Sequence, residues 1–334
     1  MKKEKIMYRA MLCVFVIVVL GFVRPVQAED LKIGGTIDVD MFGAKHKGTN
    51  SSSDIKLDAL ELSFQSELNE HVSANALVKY EYEDEDYKLV VDEAYVTLTK
   101  LSDQPLTIKA GKWYLPFGLF NNHLANDPLT EDAYEINAPG VSFSFTPEEL
   151  EGLDLSLTVY SSKEARFADN ANPPEDDLGN YILNATLTQT EFFTMSVYFD
   201  SEQGVGDRNN SLGASISAAF QDSFSFDAEY IKALERDGDR PKDSAYSLSG
   251  AFKVLPPLEV VGRFEGYDDG VNGDQDFDPA APGELIGVKY RVSAGANYEL
   301  VEHATLMSEF RVTELEDADA STLKEWILRL RVEF

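Results

Sequence analysis

Hydrophobic and polar residues alternate with a period of two in segments of about ten residues along most of the chain. The first clear segment places Leu31, Ile33, Ile37, Val39 and Met41 on one face. Similar segments recur at residues 72–82, 153–159, 212–220, 224–230, 258–266, 286–298 and 306–312, and weaker ones at 55–68, 89–98, 106–111, 141–145, 181–187, 192–199 and 246–254. With the last segment, 323–334, the pattern predicts sixteen β-strands.

The connections between these segments alternate between short and long. Short turns fall at residues 69–70, 102–105, 147–151, 190, 221–222, 256–257 and 299–302. Longer polar and acidic connections fall at 43–53, 83–87, 112–140, 163–180, 201–210, 235–243, 268–283 and 316–321. This alternation predicts an antiparallel up-and-down sheet with its short turns on one side. Residues 55–68 change face midway, which predicts a bulge, and no segment after residue 28 has a helical pattern.

The last strand has one apolar face, with Trp326, Leu328, Leu330, Val332 and Phe334, and one charged face with glutamates and arginines. Two such faces need two solvents, and an outer-membrane barrel supplies lipid outside and water inside. The segment also resembles the C-terminal insertion signal of Gram-negative outer-membrane barrels. We therefore predict an all-β fold, a transmembrane antiparallel up-and-down β-barrel of about 16 strands with short periplasmic turns and long extracellular loops.

A soluble β-sandwich would also alternate. Aromatic residues near the strand ends, such as Tyr160, Tyr198, Tyr230 and Tyr267, favour the membrane, because they fit the belts at membrane interfaces better than a sandwich core.

Residues 1–28 have the features of a cleaved secretory signal peptide. Basic residues precede an apolar run from Met11 to Val23, and Val26-Gln27-Ala28 is a small-x-small cleavage site. The predicted barrel then comprises residues 29–334, and Cys13, the only cysteine of the chain, lies in the signal. The expected location is the outer membrane of the cell.

The chain is strongly acidic, with a formal net charge of −30. This charge argues against nucleic acid as a partner. Solvation of the extracellular rim is the simpler interpretation of the acidic loops, and retention of divalent cations at the lipopolysaccharide surface is the alternative. The motifs indicate no catalytic residues, no metal site and no cofactor.

The longest connection, residues 112–140, is the predicted third extracellular loop and is unusually apolar for an exposed segment. We expect it to pack into the barrel and constrict the lumen. The constriction and ligand candidates are Trp113, Tyr114, Phe117, His123, Asp127, Glu131, Asp132 and Glu135.

The run Gly111 to Gly118, followed by Asn126-Asp127-Pro128-Leu129-Thr130, resembles the legiobactin-type (LbtU) siderophore porin family. The resemblance implies a sixteen-stranded barrel without a plug domain that takes up a ferric siderophore.

Basic residues of the later strands have inward parity and form a predicted basic lumen wall facing the acidic loop. They are Lys253, Arg263, Lys289, Arg291, Arg311, Arg329 and Arg331. Such a wall would set a transverse field across the channel. Alternatively, these cations only pair with the inward residues Glu265, Glu309, Glu325 and Glu333.

The sequence therefore predicts a passive channel for small solutes, specifically a ferric siderophore, with a general diffusion porin as the alternative. An outer-membrane enzyme has little support, since no Gly-x-Ser-x-Gly motif occurs. An adhesin with a closed lumen is disfavoured by small inward residues, namely Ser156, Thr158, Ser215, Ser217, Ser247, Ser249, Ser293 and Gly295. The expected partners are outer-membrane lipid, lipopolysaccharide, the barrel-assembly machinery and the solute, and a homotrimer is compatible with the strand count.

Overall fold

The computed structural model describes residues 31–46, 51–83, 86–101, 104–161, 178–190, 192–204, 206–220, 223–238, 241–270, 288–315 and 322–334. The predicted signal peptide at residues 1–28 lies outside these ranges, as do parts of several predicted extracellular loops.

Sixteen antiparallel strands form a closed barrel in the described part of the chain. Each strand pairs with its neighbours in sequence, and the first pairs with the last, so the predicted all-β barrel is confirmed. The strands are β1 (Leu31–His46), β2 (Ser52–Asn69), β3 (Val72–Glu83), β4 (Asp86–Leu98), β5 (Leu106–Tyr114), β6 (Asn137–Phe145), β7 (Leu153–Tyr160), β8 (Asn180–Thr190), β9 (Phe193–Gln203), β10 (Arg208–Phe220), β11 (Phe224–Glu235), β12 (Ser244–Leu255), β13 (Leu258–Asp268), β14 (Val288–Val301), β15 (Ala304–Leu315) and β16 (Thr322–Glu333).

The period-two pattern separates the inner from the outer surface of the barrel. In β10, Ser211 and Ser215 point inward and are buried, whereas Leu212 and Ile216 point outward and are each 41% exposed. Large apolar side chains are exposed in this way around the outer wall, which is the arrangement expected where lipid is the solvent.

The barrel closes where β1 meets β16. Gly35 and Phe334 exchange two backbone hydrogen bonds, with N–O distances of 2.9 and 3.0 Å. The outward face of β16 carries Trp326 and Leu330, which are exposed, and closure continues along the register to the pair of His46 and Leu323. Because a closed barrel has no free strand edge, the backbone groups of the wall are paired within the membrane.

The predicted bulge in β2 lies at Asp58. Asp38 pairs with Ala59 and Val39 pairs with Leu57, so Asp58 is the extra residue. The bulge shifts the alternation by one, which keeps both Leu57 and Leu60 on the face of their apolar β1 partners.

Three sequence predictions need correction. The predicted long connection at residues 83–87 is short, since β3 ends at Glu83 and β4 begins at Asp86. The predicted absence of helix is wrong, because α1 (Leu129–Tyr134) lies between β5 and β6. Tyr160, Tyr198 and Tyr267 face the lumen and are buried rather than forming part of an interfacial belt. No helix in the described ranges is long and apolar enough to cross a membrane.

Val197 provides a test of the lipid-facing surface. It lies mid-strand in β9 between Ala185 and Ala214 and is 48% exposed. We expect Val197→Arg to lower the free energy of unfolding in liposomes by about 2–4 kcal/mol, because the charge would enter hydrocarbon. Ser63→Arg is the control, since Ser63 is exposed on the inward face of β2. Equal losses for both variants, measured by denaturant unfolding, would contradict a lipid-facing outer wall.

Candidate functional site

The connection between β5 and β6 enters the barrel instead of extending from it. Its neck is closed by a 2.8 Å hydrogen bond from the Leu115 N–H to the Ile136 carbonyl. Gly118 then turns the chain with a positive φ of 106°, and a Cβ atom there would clash with the ring of Phe120. The residues enclosed by this neck, 115–136, form what we call the inward loop, which includes α1.

Apolar side chains of the inward loop pack against the far wall of the lumen. Phe117, Leu129 and Tyr134 have no exposed surface, and the Phe117 ring lies 5.1 Å from the Tyr198 ring, centroid to centroid. Full burial of one such side chain contributes about 1.5–3 kcal/mol. This packing accounts for the apolar composition that is unusual for an exposed loop.

Carboxylates on three alternate strands hold the backbone of the inward loop. The N–H groups of Leu119, Asn126 and Leu129 donate to side chains at 2.6, 2.9 and 2.7 Å, respectively. The acceptors are Glu229 of β11, Glu309 of β15 and Glu265 of β13. Hydrogen bonds from backbone N–H groups to charged acceptors are stronger than neutral ones, so these contacts fix the path of the loop.

Arg263 of β13 also binds this backbone. Its guanidinium donates to the carbonyls of Asn126 and Asp127 at 2.9 and 3.1 Å, and to the Asn122 side chain at 3.0 Å. It is 3% exposed and pairs with Glu265 at 3.0 Å. Arg263 was predicted to line the lumen, and the structure makes it an anchor of the loop.

The small inward residues of β14 make room for the loop. A Cβ atom at Gly295 would lie 2.6 Å from the Leu124 side chain and 2.3 Å from the Ser308 carbonyl oxygen. Ser215, Ser247 and Ser293 are likewise buried. The sequence suggested that these positions leave the lumen open, whereas on this side of the barrel the loop occupies the space.

His123, a predicted ligand candidate, lies between two carboxylates of the wall. Its ring nitrogens are 3.6 Å from Asp227 of β11 and 3.4 Å from Glu259 of β13, and its carbonyl accepts a 2.8 Å hydrogen bond from Asn297. The hydrogen bond to Asp227, with the charge of Glu259, raises the pKa of His123 despite its partial burial. His123 therefore links the loop to carboxylates of β11 and β13.

Trp113 and Phe117 do not line the lumen as solute ligands. Trp113 is 3% exposed and packs edge-on against Tyr95, and Phe117 is fully buried. The Tyr114 hydroxyl donates to Asp92 of β4 at 3.0 Å. A solute in the lumen would therefore find little aromatic surface at Trp113 or Phe117. Both residues were predicted to contact the solute, and in the structure both are buried packing residues.

The four acidic candidates of the loop lie on or beside α1. Burial raises the pKa of Glu131 to about 9, and the neighbouring charge of Asp127 adds to this effect. Burial also raises the pKa of Glu135 to about 7, with Asp127 again contributing, while Lys79 of β3 acts in the opposite direction. Glu131 and Glu135 are hydrogen-bonded to each other. Burial and the neighbouring carboxylates therefore both disfavour ionisation of this pair.

The predicted basic wall divides into groups with different environments. Arg311, Arg329 and Arg331 face the lumen, each in a bidentate pair with a carboxylate, respectively Glu325, Asp40 and Asp38. Arg291 lies 3.6 Å from Asp132 of the loop and is 3% exposed.

Two lysines of the predicted wall differ from the arginines. Lys253 is exposed near the short turn between β12 and β13. Lys289 lies at a register shift between Val288 and Tyr290 and is exposed beside Tyr290, while Val288 and Arg291 are buried. The irregular register breaks the alternation there, so the parity from which an inward Lys289 was predicted does not hold at this position.

A cavity of about 390 Å³ lies between the inward loop and the strands β1, β2, β15 and β16. Its size is within the range of small-molecule sites. The charged residues lining it are Asp40, Lys56, Asp58, Asp127, Asp132, Arg311, Glu325 and Arg329. Within the described ranges, no three His, Cys, Asp or Glu side chains are placed to hold a metal ion.

Several lumen residues escaped the sequence analysis. Asp38 and Asp40 alternate with the apolar face of β1, so parity alone could have identified them. Asp58 could not be placed, since its orientation depends on the bulge. No local pattern could have identified Glu229 and Asp227, because they bind the loop and the sequence does not show that the loop reaches β11.

No protein-family profile matches the chain. Two curated relatives are UPF0422 proteins of Legionella pneumophila. One, from strain Paris, is 25% identical over 139 residues, which cover 39% of this chain and 26% of the relative. The other, from strain Lens, is 26% identical over 122 residues, 34% of this chain and 22% of the relative. The chain thus matches about a quarter of the length of these relatives.

Solved outer-membrane channels have a similar structure over nearly the whole chain. The channel DcaP of Acinetobacter baumannii aligns with a TM-score of 0.65 and 14% identity, covering 91% of this chain and 97% of that one. OmpF of Salmonella typhi, in complex with daunomycin, gives 0.65 and 11%, with the same coverage. An anion-selective porin of Comamonas acidovorans gives 0.64 and 12%, covering 91% and 99%.

The chain has the fold of the outer-membrane porins. With its closed wall and apolar outer surface, this barrel is located in the outer membrane.

Glu131 gives a pH-dependent test of how the loop is seated. Because its pKa is raised, the folded protein keeps a proton that the unfolded chain releases, so stability falls as the pH rises from about 4.5 towards 9. Glu131→Gln removes this titration. We expect the variant to melt at a higher temperature than the unmodified protein at pH 8, and at the same temperature below about pH 4, where Glu131 is protonated in both the folded and the unfolded chain.

The control for this test is Glu148→Gln, because Glu148 is exposed in the turn after β6. It should leave the melting temperature unchanged at both pH values. A destabilised Glu131→Gln variant at pH 8 would show that Glu131 is ionised and favourably paired in the folded protein.

Proposed function

We propose that this protein is a porin-like channel through which small solutes diffuse across the outer membrane. The observation that carries the proposal is the cavity between the inward loop and the wall of β1, β2, β15 and β16, about 390 Å³ in volume and lined mainly by charged and polar groups. A cavity of this size with a polar lining holds water, which a diffusing polar solute can replace. We also propose that the inward loop is the constriction of the channel and that residues 1–28 are the export signal.

The inward loop is suited to set the width of the passage. It is fixed by backbone hydrogen bonds to Glu229, Glu265 and Glu309, so it narrows the lumen without depending on a flexible side chain. The anchors lie on β11, β13 and β15, and the cavity extends from β15 across β16 and β1 to β2, next to Asp127 and Asp132. This cavity is the off-centre route that we propose for solutes.

A ferric siderophore remains the more specific proposal, and it rests on the resemblance of the segment from Gly111 to Thr130. Burial of Trp113 and Phe117 removes two of the contacts expected for an iron chelate. The remaining candidates are polar, so recognition would depend on charge and hydrogen bonding. Transient blocks of the ionic current on addition of a ferric siderophore would support it, and unaltered current at saturating concentration would favour a general diffusion porin.

The surroundings of the barrel follow from its location. We propose contacts with outer-membrane lipid and lipopolysaccharide around the exposed apolar wall, and assembly by the barrel-assembly machinery through the terminal segment from Trp326 to Phe334. A homotrimer is part of the same proposal.

The passage can be tested by single-channel conductance of the refolded protein in planar bilayers. Ala44 lines the cavity, so Ala44→Trp should lower the conductance by filling part of the route. Met41→Trp is the matched control, because Met41 lies on the outward face of the same strand and is 46% exposed. It should leave the conductance unchanged.

A second variant with residues 119–127 shortened should conduct more than the unmodified protein. Folded barrels that carry no current in any of these forms would exclude a channel and favour an enzyme or adhesin on the same scaffold. Heat-modifiable migration in gels and circular dichroism would establish that each variant is folded before it is measured.

A further inference from the structure

The basic residues that line the cavity are each neutralised by a carboxylate of the same wall. Lys56 lies 2.7 Å from Asp58, Arg311 lies 2.5 Å from Glu325, and Arg329 lies 2.7 Å from Asp40. Two of these pairs are bidentate. On the wall side, the three cations therefore balance the three carboxylates of the cavity lining.

The loop side adds acidic groups to the cavity lining and no basic ones. Asp127 and Asp132 are its charged contributions. Asp127 is exposed and accepts a 3.0 Å hydrogen bond from the neutral side chain of Asn122. Asp132 lies 3.6 Å from Arg291, which is 3% exposed and is not part of the lining. The cavity is thus lined by five carboxylates and three cations.

An excess of carboxylates along a narrow passage attracts cations and repels anions. Low-dielectric walls concentrate the field of these charges, and the surrounding protein does not reverse it, because the chain carries a net charge of −30. One unit charge about 7 Å from a permeating ion changes its local concentration about threefold, even at the dielectric constant of water. Asp127 and Asp132 add two negative charges to a balanced wall, and Arg291 beside Asp132 offsets one of them, so a negative excess remains and determines the sign of selectivity.

We infer that the passage is cation-selective, that Asp127 and Asp132 of the inward loop determine this selectivity, and that the favoured solutes are small cations and neutral molecules. The inference rests on the proposed channel function and narrows its substrate class. It also limits the siderophore proposal, because a ferric chelate with a net negative charge would be repelled. A neutral or positively charged chelate would be accepted.

The porin from Comamonas acidovorans, which has a similar fold, is anion-selective. The barrel architecture is therefore compatible with either sign, and the charges of the lining decide between them. Here the deciding charges lie on the loop, since the wall pairs are internally balanced.

The test is the reversal potential of the refolded full-length barrel in a planar bilayer under a potassium chloride gradient. We expect potassium to be favoured over chloride. Asp127→Asn combined with Asp132→Asn should lower the permeability ratio of potassium to chloride by at least about threefold, because two negative charges are removed beside the passage. Asparagine keeps the size of each side chain. Asp127→Asn alone should lower the permeability ratio by less than the double variant does.

The control combines Glu148→Gln and Glu149→Gln. These residues are exposed in the turn after β6 and lie outside the cavity lining, and the change in net charge is the same. The control should leave the ratio unchanged. Equal effects in both double variants would show that selectivity comes from overall charge and would overturn the role of Asp127 and Asp132.

The outcomes separate this inference from the proposed function. Channels that conduct and favour chloride would overturn the inference and leave the channel proposal intact. Folded barrels without conductance would overturn the channel proposal itself. If the double variant fails to fold, Asp132→Glu serves as a second variant, because it keeps the charge and should keep the ratio, whereas Asp132→Asn should lower it.

Discussion

The pairing of backbone hydrogen-bond groups in lipid is the constraint on which the rest of this structure depends. Sixteen strands satisfy it by closing a barrel, and the contact of Gly35 with Phe334 is part of that closure. A barrel of this size encloses more space than the wall side chains can fill. The inward loop occupies part of that space, which water would otherwise fill.

The interior is stabilised by charged groups that have specific partners. Glutamates of β11, β13 and β15 accept backbone N–H groups of the loop, and arginines of β15 and β16 form bidentate pairs with neighbouring carboxylates. Unpaired charges at these depths would be costly, since they are removed from bulk water. The pairing predicted as an alternative to a basic wall is therefore present, with Asp38, Asp40 and Asp58 as additional partners.

The same groups serve structure and permeation in different parts of the lumen. Arg263 and His123 hold the loop against the far wall, whereas Arg311 and Arg329 border the remaining cavity. Proteins with 11–14% identity share this barrel. The barrel therefore supports many linings, and solute preference depends on a small number of loop and wall residues.

The sequence by itself determined the fold and the inward-facing positions of most strands. Period-two alternation reflects two solvents acting on one strand, a local property that Leu328 and Arg329 already display. The alternation is interrupted at Lys289, where the register is irregular, and it predicts the partners of few charged residues. Only the tertiary structure decided that Phe117 is buried, that Arg263 anchors the loop and that Asp127 borders the cavity. These roles depend on contacts between residues far apart in the sequence, such as Phe117 with Tyr198 and Arg263 with Asp127, and no local pattern encodes the path of a loop across a lumen.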